Sequence, residues 1–270
     1  TKGLILIFCL IELMTSMQNA QSNAMIAGLI ILCFGLLEKK KYLWATLCIV
    51  FSVFIKLFGF VGFALFIFYP RKLKLLAYTI FWSLILLALP LIFIDTEQYQ
   101  MLFTSWLKML SGDHAASYGL SVIGWLHTWF GLEPEKLIIV FLGIIGFLLP
   151  LLKVDQYQNY TFRLFMLSSV LIWVVIFNHK AESPTFILAM SGVSIWFFSQ
   201  QKDMLNIILF ISAILFTSLS PTDIFPPYIR NEFFKPYVVK AVPCILIWIK
   251  LIFDMFRIRN DASRDVIISA

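Results

Sequence analysis

Charge is scarce in this chain. Only 13% of its 270 residues are Asp, Glu, Lys or Arg, about half of the roughly 25% found in soluble domains. A soluble globular enzyme is excluded by that figure together with a hydrophobic content of 61%. The same hydrophobicity excludes disorder, since a disordered chain cannot afford so many residues that seek burial. Alternating ten-residue segments, the mark of a membrane β-barrel, are missing; unbroken apolar runs such as Leu84–Ile94 and Leu137–Leu152 stand instead. Cysteine offers no framework. The four present (Cys9, Cys33, Cys48 and Cys244) fall inside apolar runs and form no CxxC pair, so neither a zinc site nor a disulfide scaffold is indicated. No signal peptide is visible, and no internal repeat is evident. The chain starts with Thr1-Lys2, and its first apolar run, Leu4–Met14, is short for a span. An N-terminal truncation is therefore expected.

What is present reads as an all-α, polytopic membrane helical bundle forming a single transmembrane domain over 1–270. Ten apolar segments are predicted, at 3–14, 23–37, 42–56, 59–69, 75–94, 136–152, 161–178, 184–199, 204–219 and 236–256. The net charge is +6. In a soluble protein this would raise nucleic-acid binding; here it serves topology, and no nucleic-acid partner is expected. Lys39–Lys41, Arg71, Lys72, Lys74, Lys153, Arg163, Lys202, Arg257, Arg259 and Arg264 lie in loops that alternate to one side. The positive-inside rule makes that side cytoplasmic. Both basic clusters flanking 42–69 share a side only if the segment breaks near Lys56, where Gly59 and Gly62 permit a turn. A hairpin of two short helices, with Lys56 near its outer tip, is the expectation.

Four features then face outward: Thr15–Asn23, the stretch 95–135, the turn Asn178–Ser183 and the loop Ser220–Lys235. In 95–135, Leu102, Phe103, Trp106, Met109 and Leu110 follow helical spacing. Val122, Trp125, Leu126 and Trp129 do so again. Two short amphipathic helices on the membrane surface are predicted. Interfacial anchoring is the plain reading of their aromatics.

Several residue groups carry potential chemistry. Gln18, Asn19, Gln21 and Asn23 each donate and accept hydrogen bonds, which suits a sugar or phosphate; an ordinary polar turn has the same composition. Lys56 either snorkels to the surface or pairs with an anionic lipid phosphate. Phe177–Pro184 packs His179, Lys180, Glu182 and Ser183 into a tight turn. His179 and Glu182 suit acid–base work, and Lys180 suits a phosphate; a solvated turn is the alternative. His114 and His127 have no metal-ligand spacing. Asp95, Glu97, Asp113, Glu133, Asp223 and Glu232 do not stand out. Nearly all charges fall at predicted helix ends.

The order of motifs adds a resemblance. Gln18-Asn-Ala-Gln-Ser-Asn23 followed by Ala24–Leu29 resembles the Gly-Gln-x-Asn-type signature of glycosyltransferase family 87. Ile55-Lys-Leu-Phe-Gly59, the basic turn Tyr69-Pro-Arg-Lys72, the stretch Ser117–Leu126 and Glu182-Ser-Pro184 follow in the family's order. The family's signature glycine is Ala20 here. Thr185–Leu188 replaces the aromatic and histidine residues that often follow the Ser-Pro turn, and the Asn expected before Ser121 is missing.

The resemblance implies a GT-C-fold hexosyltransferase, multi-pass in the cell membrane, working on the extracytoplasmic face. It implies transfer of a hexose, mannose first, from a polyprenyl-phosphate donor to a lipid-linked or glycan acceptor. Membrane lipids are the further partners; no cofactor and no metal are expected. The family's catalytic base is an acid of the first outer loop, which by position precedes Thr1. Within this chain Glu182 is the candidate catalytic acid. Gln18, Asn19, Gln21, Asn23, Lys56, His179, Lys180 and Ser183 are the candidate substrate-binding residues. A transporter, a lipid flippase and a non-catalytic subunit of envelope glycan assembly are the rival readings.

Overall fold

In a computed structural model the described residues are 2–112 and 117–258, and side chains are described for 3–111 and 117–258. His114 and Asp113 lie outside the described residues, as do Thr1, Arg259 and Arg264. Every predicted apolar segment contains helix. The order is α1 (Lys2–Gln18), α2 (Asn23–Glu38), α3 (Tyr42–Ile55), a 3₁₀ segment (Leu57–Phe68), α4 (Lys72–Ala88), α5 (Thr96–Gly112), α6 (Val122–Phe130) and α7 (Lys136–Leu148). There follow α8 (Tyr160–Ile176), α9 (Phe186–Phe198), α10 (Met204–Ser212), a π-helical turn (Ala213–Ser218), the short α11 (Pro227–Ile229), a second π turn (Arg230–Phe234) and α12 (Val242–Arg257). The final helix starts later than the predicted 236, because the chain from 235 to 241 runs as successive turns.

Two units divide the chain: residues 2–31 with 118–258, and residues 32–117. In the first, α8 and α9 form the core, flanked by α1 and α12. Their apolar faces are buried nearly throughout. Gly192 permits the approach, since a Cβ there would stand 2.7 Å from the Ser168 carbonyl oxygen. Several polar groups in this core are paired, as burial favours. Trp196 Nε1 donates to Asp254 Oδ2 at 3.1 Å, Trp248 Nε1 donates to Ser169 Oγ at 3.0 Å, and Lys250 pairs with Asp254.

In the second unit the chain breaks at Lys56, as expected. Its backbone is extended (φ −148°, ψ 133°) and ends α3. The following 3₁₀ segment folds back on α3. Gly59 makes that possible, because a Cβ would meet Ser52 Oγ at 2.5 Å and the Ser52 carbonyl oxygen at 2.9 Å. Trp82 Nε1 of α4 donates to the Leu43 carbonyl at 2.8 Å. The two predicted amphipathic helices are α5, in this unit, and α6, in the first. Ser121 caps α6, its Oγ accepting from Gly124 N at 3.3 Å, and Gly131 ends it in the left-handed conformation at φ +64°.

Outward faces are apolar. Leu73, Ile92, Phe93 and Leu152 are each 74% exposed or more. One helix among the described residues, Lys72–Ile92, is long and apolar enough to cross a membrane; eight further apolar helices have 10–17 residues. A surface of this kind suits a hydrocarbon surround, since soluble monomers rarely expose large contiguous apolar patches.

The polar stretch 15–23 is less loop-like than expected, because α1 continues to Gln18. Ala20 N donates to the Met17 carbonyl at 2.9 Å and Gln21 N to the Ser16 carbonyl at 3.0 Å. This is a Schellman motif, with Ala20 at the left-handed position (φ +50°). A Cβ is disfavoured there, which accounts for glycine at this point of the signature that the chain resembles. Ala20→Gly is expected to raise stability by about 1 kcal/mol, the usual cost of an alanine in that conformation. Thermal unfolding in detergent checks it; an unchanged or lowered midpoint would contradict it.

Candidate active site

Within the first unit the polar stretch 15–23, the turn 178–183 and the residues just before α6 meet. The Schellman motif turns the chain so that the Gln21 side chain leaves α1. Its Nε2 donates to Glu182 Oε2 at 2.9 Å, across 161 residues of sequence. Its Oε1 accepts from Asn23 Nδ2 at 2.6 Å. Ser16 Oγ holds the turn by donating to the Gln21 carbonyl at 3.1 Å. Asn23 is buried, Gln21 half-buried and Glu182 exposed. An acid, an amide and a second amide thus form one hydrogen-bonded line from an exposed residue to a buried one.

The turn that carries Glu182 is itself braced. Asn178 Oδ1 accepts from Lys180 N at 3.0 Å, and Ala181 N donates to the Asn178 carbonyl at 2.9 Å. Glu182 N donates to Thr185 Oγ1 at 3.4 Å, and Pro184 is the second residue of the short 3₁₀ turn, Ser183–Thr185, that leads into α9. The stretch before α6 joins from the other side. Leu120 N donates to the Ala181 carbonyl at 2.9 Å. Gly119 adopts φ +52°, and a Cβ there would stand 2.4 Å from the His179 carbonyl oxygen, so only glycine fits. Both the conformation and the approach demand it.

Electrostatics separate the two basic residues of the turn. Burial and the nearby Lys136 ammonium hold the His179 imidazole below the usual histidine pKa. At neutral pH it is uncharged and serves as a hydrogen-bonding group rather than a cation. Lys180 supplies positive charge in the same turn, and Lys136 is a second cation that the sequence did not single out. Ser183 Oγ is buried with no hydrogen-bond partner among the described residues. His127 stacks on Tyr118 at 4.1 Å between ring centroids, so its position is a packing one.

The remaining candidates fall elsewhere. Gln18 ends α1 and is exposed. Asn19 is exposed and spends its amide on the Thr15 carbonyl at 2.8 Å. Lys56 lies in the second unit, half-buried, with its ammonium 5.7 Å from the Phe58 ring centroid. Among the described residues no three of His, Cys, Asp or Glu gather as a metal site would need.

In the first unit a mostly apolar cavity of about 660 Å³ is lined by Trp129, Phe216, Phe233, Tyr237 and Leu246 among others. Trp129 Nε1 ties its rim by donating to the Tyr237 carbonyl at 2.7 Å.

One feature corrects the expectation that charge sits almost wholly at helix ends. Glu12, deep in α1, pairs with Lys240 at 2.7 Å, and both are buried. Lys250 and Asp254 likewise pair within α12. Each charge is tolerated because its opposite lies against it. A lone Glu inside an apolar run was the only sequence signal for the first pair.

A family model described as Glycosyltransferase family 87 matches residues 1–221. No curated protein and no solved structure matches the chain.

Proposed function

The chain belongs to glycosyltransferase family 87, and from that premise we propose that it moves a hexose, mannose first, from a polyprenyl-phosphate donor to a lipid-linked or glycan acceptor. The observation that carries this reading is the line Glu182–Gln21–Asn23, which joins a carboxylate to two amides at the meeting of two outer turns. The helices form one multi-pass transmembrane domain of the cell membrane, with these turns on the extracytoplasmic face. The apolar outer faces support that placement.

The chemistry follows from the groups present. The bond between the anomeric carbon and the donor phosphate oxygen breaks with oxocarbenium-like character, and the lipid phosphate leaves as an anion. A cation near that oxygen stabilises the charge as it develops; in this reading Lys180 supplies it. His179, uncharged, donates or accepts a hydrogen bond. The acceptor hydroxyl bonds to the anomeric carbon and gives its proton to a carboxylate; within this chain that role falls to Glu182. Gln21 and Asn23 orient sugar hydroxyls, with Asn19, Gln18 and Ser183 at the margin. Lys56 is a further contact for an anionic lipid. Aromatic residues such as Trp129, which lines the apolar cavity, hold lipid tails.

The buried ion pair is the one observation that favours a transporter or flippase, since such proteins keep ionisable groups within the bundle. One experiment separates the readings. Membranes holding the protein with any preceding chain restored are given radiolabelled polyprenyl-phosphate mannose, and label is followed into lipid and glycan. The expected result is transfer that is lost in Lys180→Ala at unchanged membrane insertion. No transfer from any of several polyprenyl-phosphate sugars, by a folded protein, would refute the enzyme reading.

A further inference from the structure

The Glu12–Lys240 pair stands outside every role assigned so far. Glu12 Oε1 accepts from Lys240 Nζ at 2.7 Å, across 228 residues of sequence. Glu12 is 0% exposed and Lys240 5%. The Lys240 ammonium also lies 5.2 Å from the Phe186 ring centroid. Its backbone carbonyl accepts from Thr217 Oγ1, in the first π turn, at 2.8 Å. The second carboxylate oxygen, Glu12 Oε2, is buried with no hydrogen-bond partner among the described residues.

Stability alone does not explain such a pair. Taking two charges into an apolar interior costs much of what their attraction returns. A well-packed apolar pair of similar volume is often as stable or more so. With one carboxylate oxygen left unsatisfied, this pair is an imperfect one even by that standard.

Its neighbours suggest what it does instead. Ser16 lies one turn beyond Glu12 on the same face of α1, and its hydroxyl holds the Gln21 carbonyl. Phe186, under the Lys240 ammonium, opens α9, four residues after Glu182. Both sides of the Gln21–Glu182 hydrogen bond therefore rest on elements that the pair touches. We infer that Glu12–Lys240 is a positioning pair, setting α1 against the start of α9 so that the Gln21 amide meets the Glu182 carboxylate. Neither residue touches substrate in this scheme. The inference rests on the proposed reading of Gln21 and Glu182 as sugar-transfer residues.

The test compares the wild type with Glu12→Leu/Lys240→Met, which replaces the pair by apolar side chains, and with the swap Glu12→Lys/Lys240→Glu. Two readouts are taken on the full chain. One is transfer from labelled polyprenyl-phosphate mannose, resolved into kcat and KM. The other is the distance distribution between nitroxides at Met17→Cys and Lys180→Cys. The apolar variant is expected to unfold no earlier than wild type, to lose on the order of tenfold to a hundredfold in kcat at similar KM, and to broaden the distance distribution. The swap is expected to narrow it again and recover part of kcat.

Wild-type kcat and an unbroadened distribution in the apolar variant would overturn the inference, leaving the pair a packing feature. If the apolar variant does not fold, the swap decides: a broadened distribution there overturns it equally. If the wild type itself transfers no sugar, the function reading fails. The distance measurement still decides whether the pair sets the geometry.

Discussion

Glu182→Gln is expected to lower sugar transfer by about 10²–10⁴-fold, the range in which a positioned general acid or base contributes. The change is nearly isosteric. A glutamine carbonyl at 182 still accepts the hydrogen bond that Gln21 Nε2 makes at 2.9 Å, so the turn and the amide line persist. What disappears is the negative charge and the capacity to take the acceptor's proton. The loss should therefore appear in kcat, with the donor KM nearly unchanged. Steady-state transfer assays with the wild type and the variant at matched insertion check it. A decrease of less than about tenfold, below the range for a proton-transfer group, would assign that role to another carboxylate, such as the outer-loop acid implied by the resemblance. Glu182 would then be a binding residue.

Lys240→Met, made alone, is expected to destabilise the protein by about 3–5 kcal/mol, the usual penalty for removing one partner of a buried ion pair. Methionine fills much of the lysine's volume, so the loss is electrostatic. Glu12 would keep its burial without its counter-charge, and its second oxygen already lacks a partner. Glu12→Leu added to Lys240→Met removes the stranded charge and is expected to return the stability to the wild-type level or above. Unfolding midpoints of the two single variants and the double variant, measured in detergent, give the coupling directly. Additive losses would show that the two side chains are not energetically linked, despite their 2.7 Å contact.

Much of the architecture was legible because helices are encoded locally. Each apolar run marked a helical segment, and the paired basic clusters around 42–69 pointed to the break at Lys56; the short helical turns at 227–234 fell in a stretch read as a loop. The aromatic spacings in 95–135 marked α5 and α6. Part of the site was legible too. The amides of 18–23 and the acid of 178–184 were picked out by their polarity in an apolar chain, and the structure brings Gln21, Asn23 and Glu182 into one hydrogen-bonded line. Gln18 and Asn19 were grouped with them by adjacency alone. The helix continues through Gln18, and the Asn19 amide turns back to Thr15.

Gly119 illustrates a different kind of gap. Its sequence context names a glycine in a loop but not the His179 carbonyl that forbids a side chain there. That carbonyl lies 60 residues away and arrives only when α6 and the 178–183 turn are packed. The burial of His179 beside Lys136, which keeps its imidazole neutral, arises in the same way.

Helical class, the positions of the helices, the polar turns and the family signature were determined by the sequence itself, because periodicity, polarity and turn chemistry act over a few neighbouring residues. Which turns meet, and which buried charges pair, was decided only by the tertiary structure. α8 and α9 are buried nearly all round, so their sequences carry no stripe from which a packing register could be read. Glu12 and Lys240 each look like an isolated charge in an apolar run. They become a pair, and support the site, only when α1 and the chain entering α12 are packed around the same core.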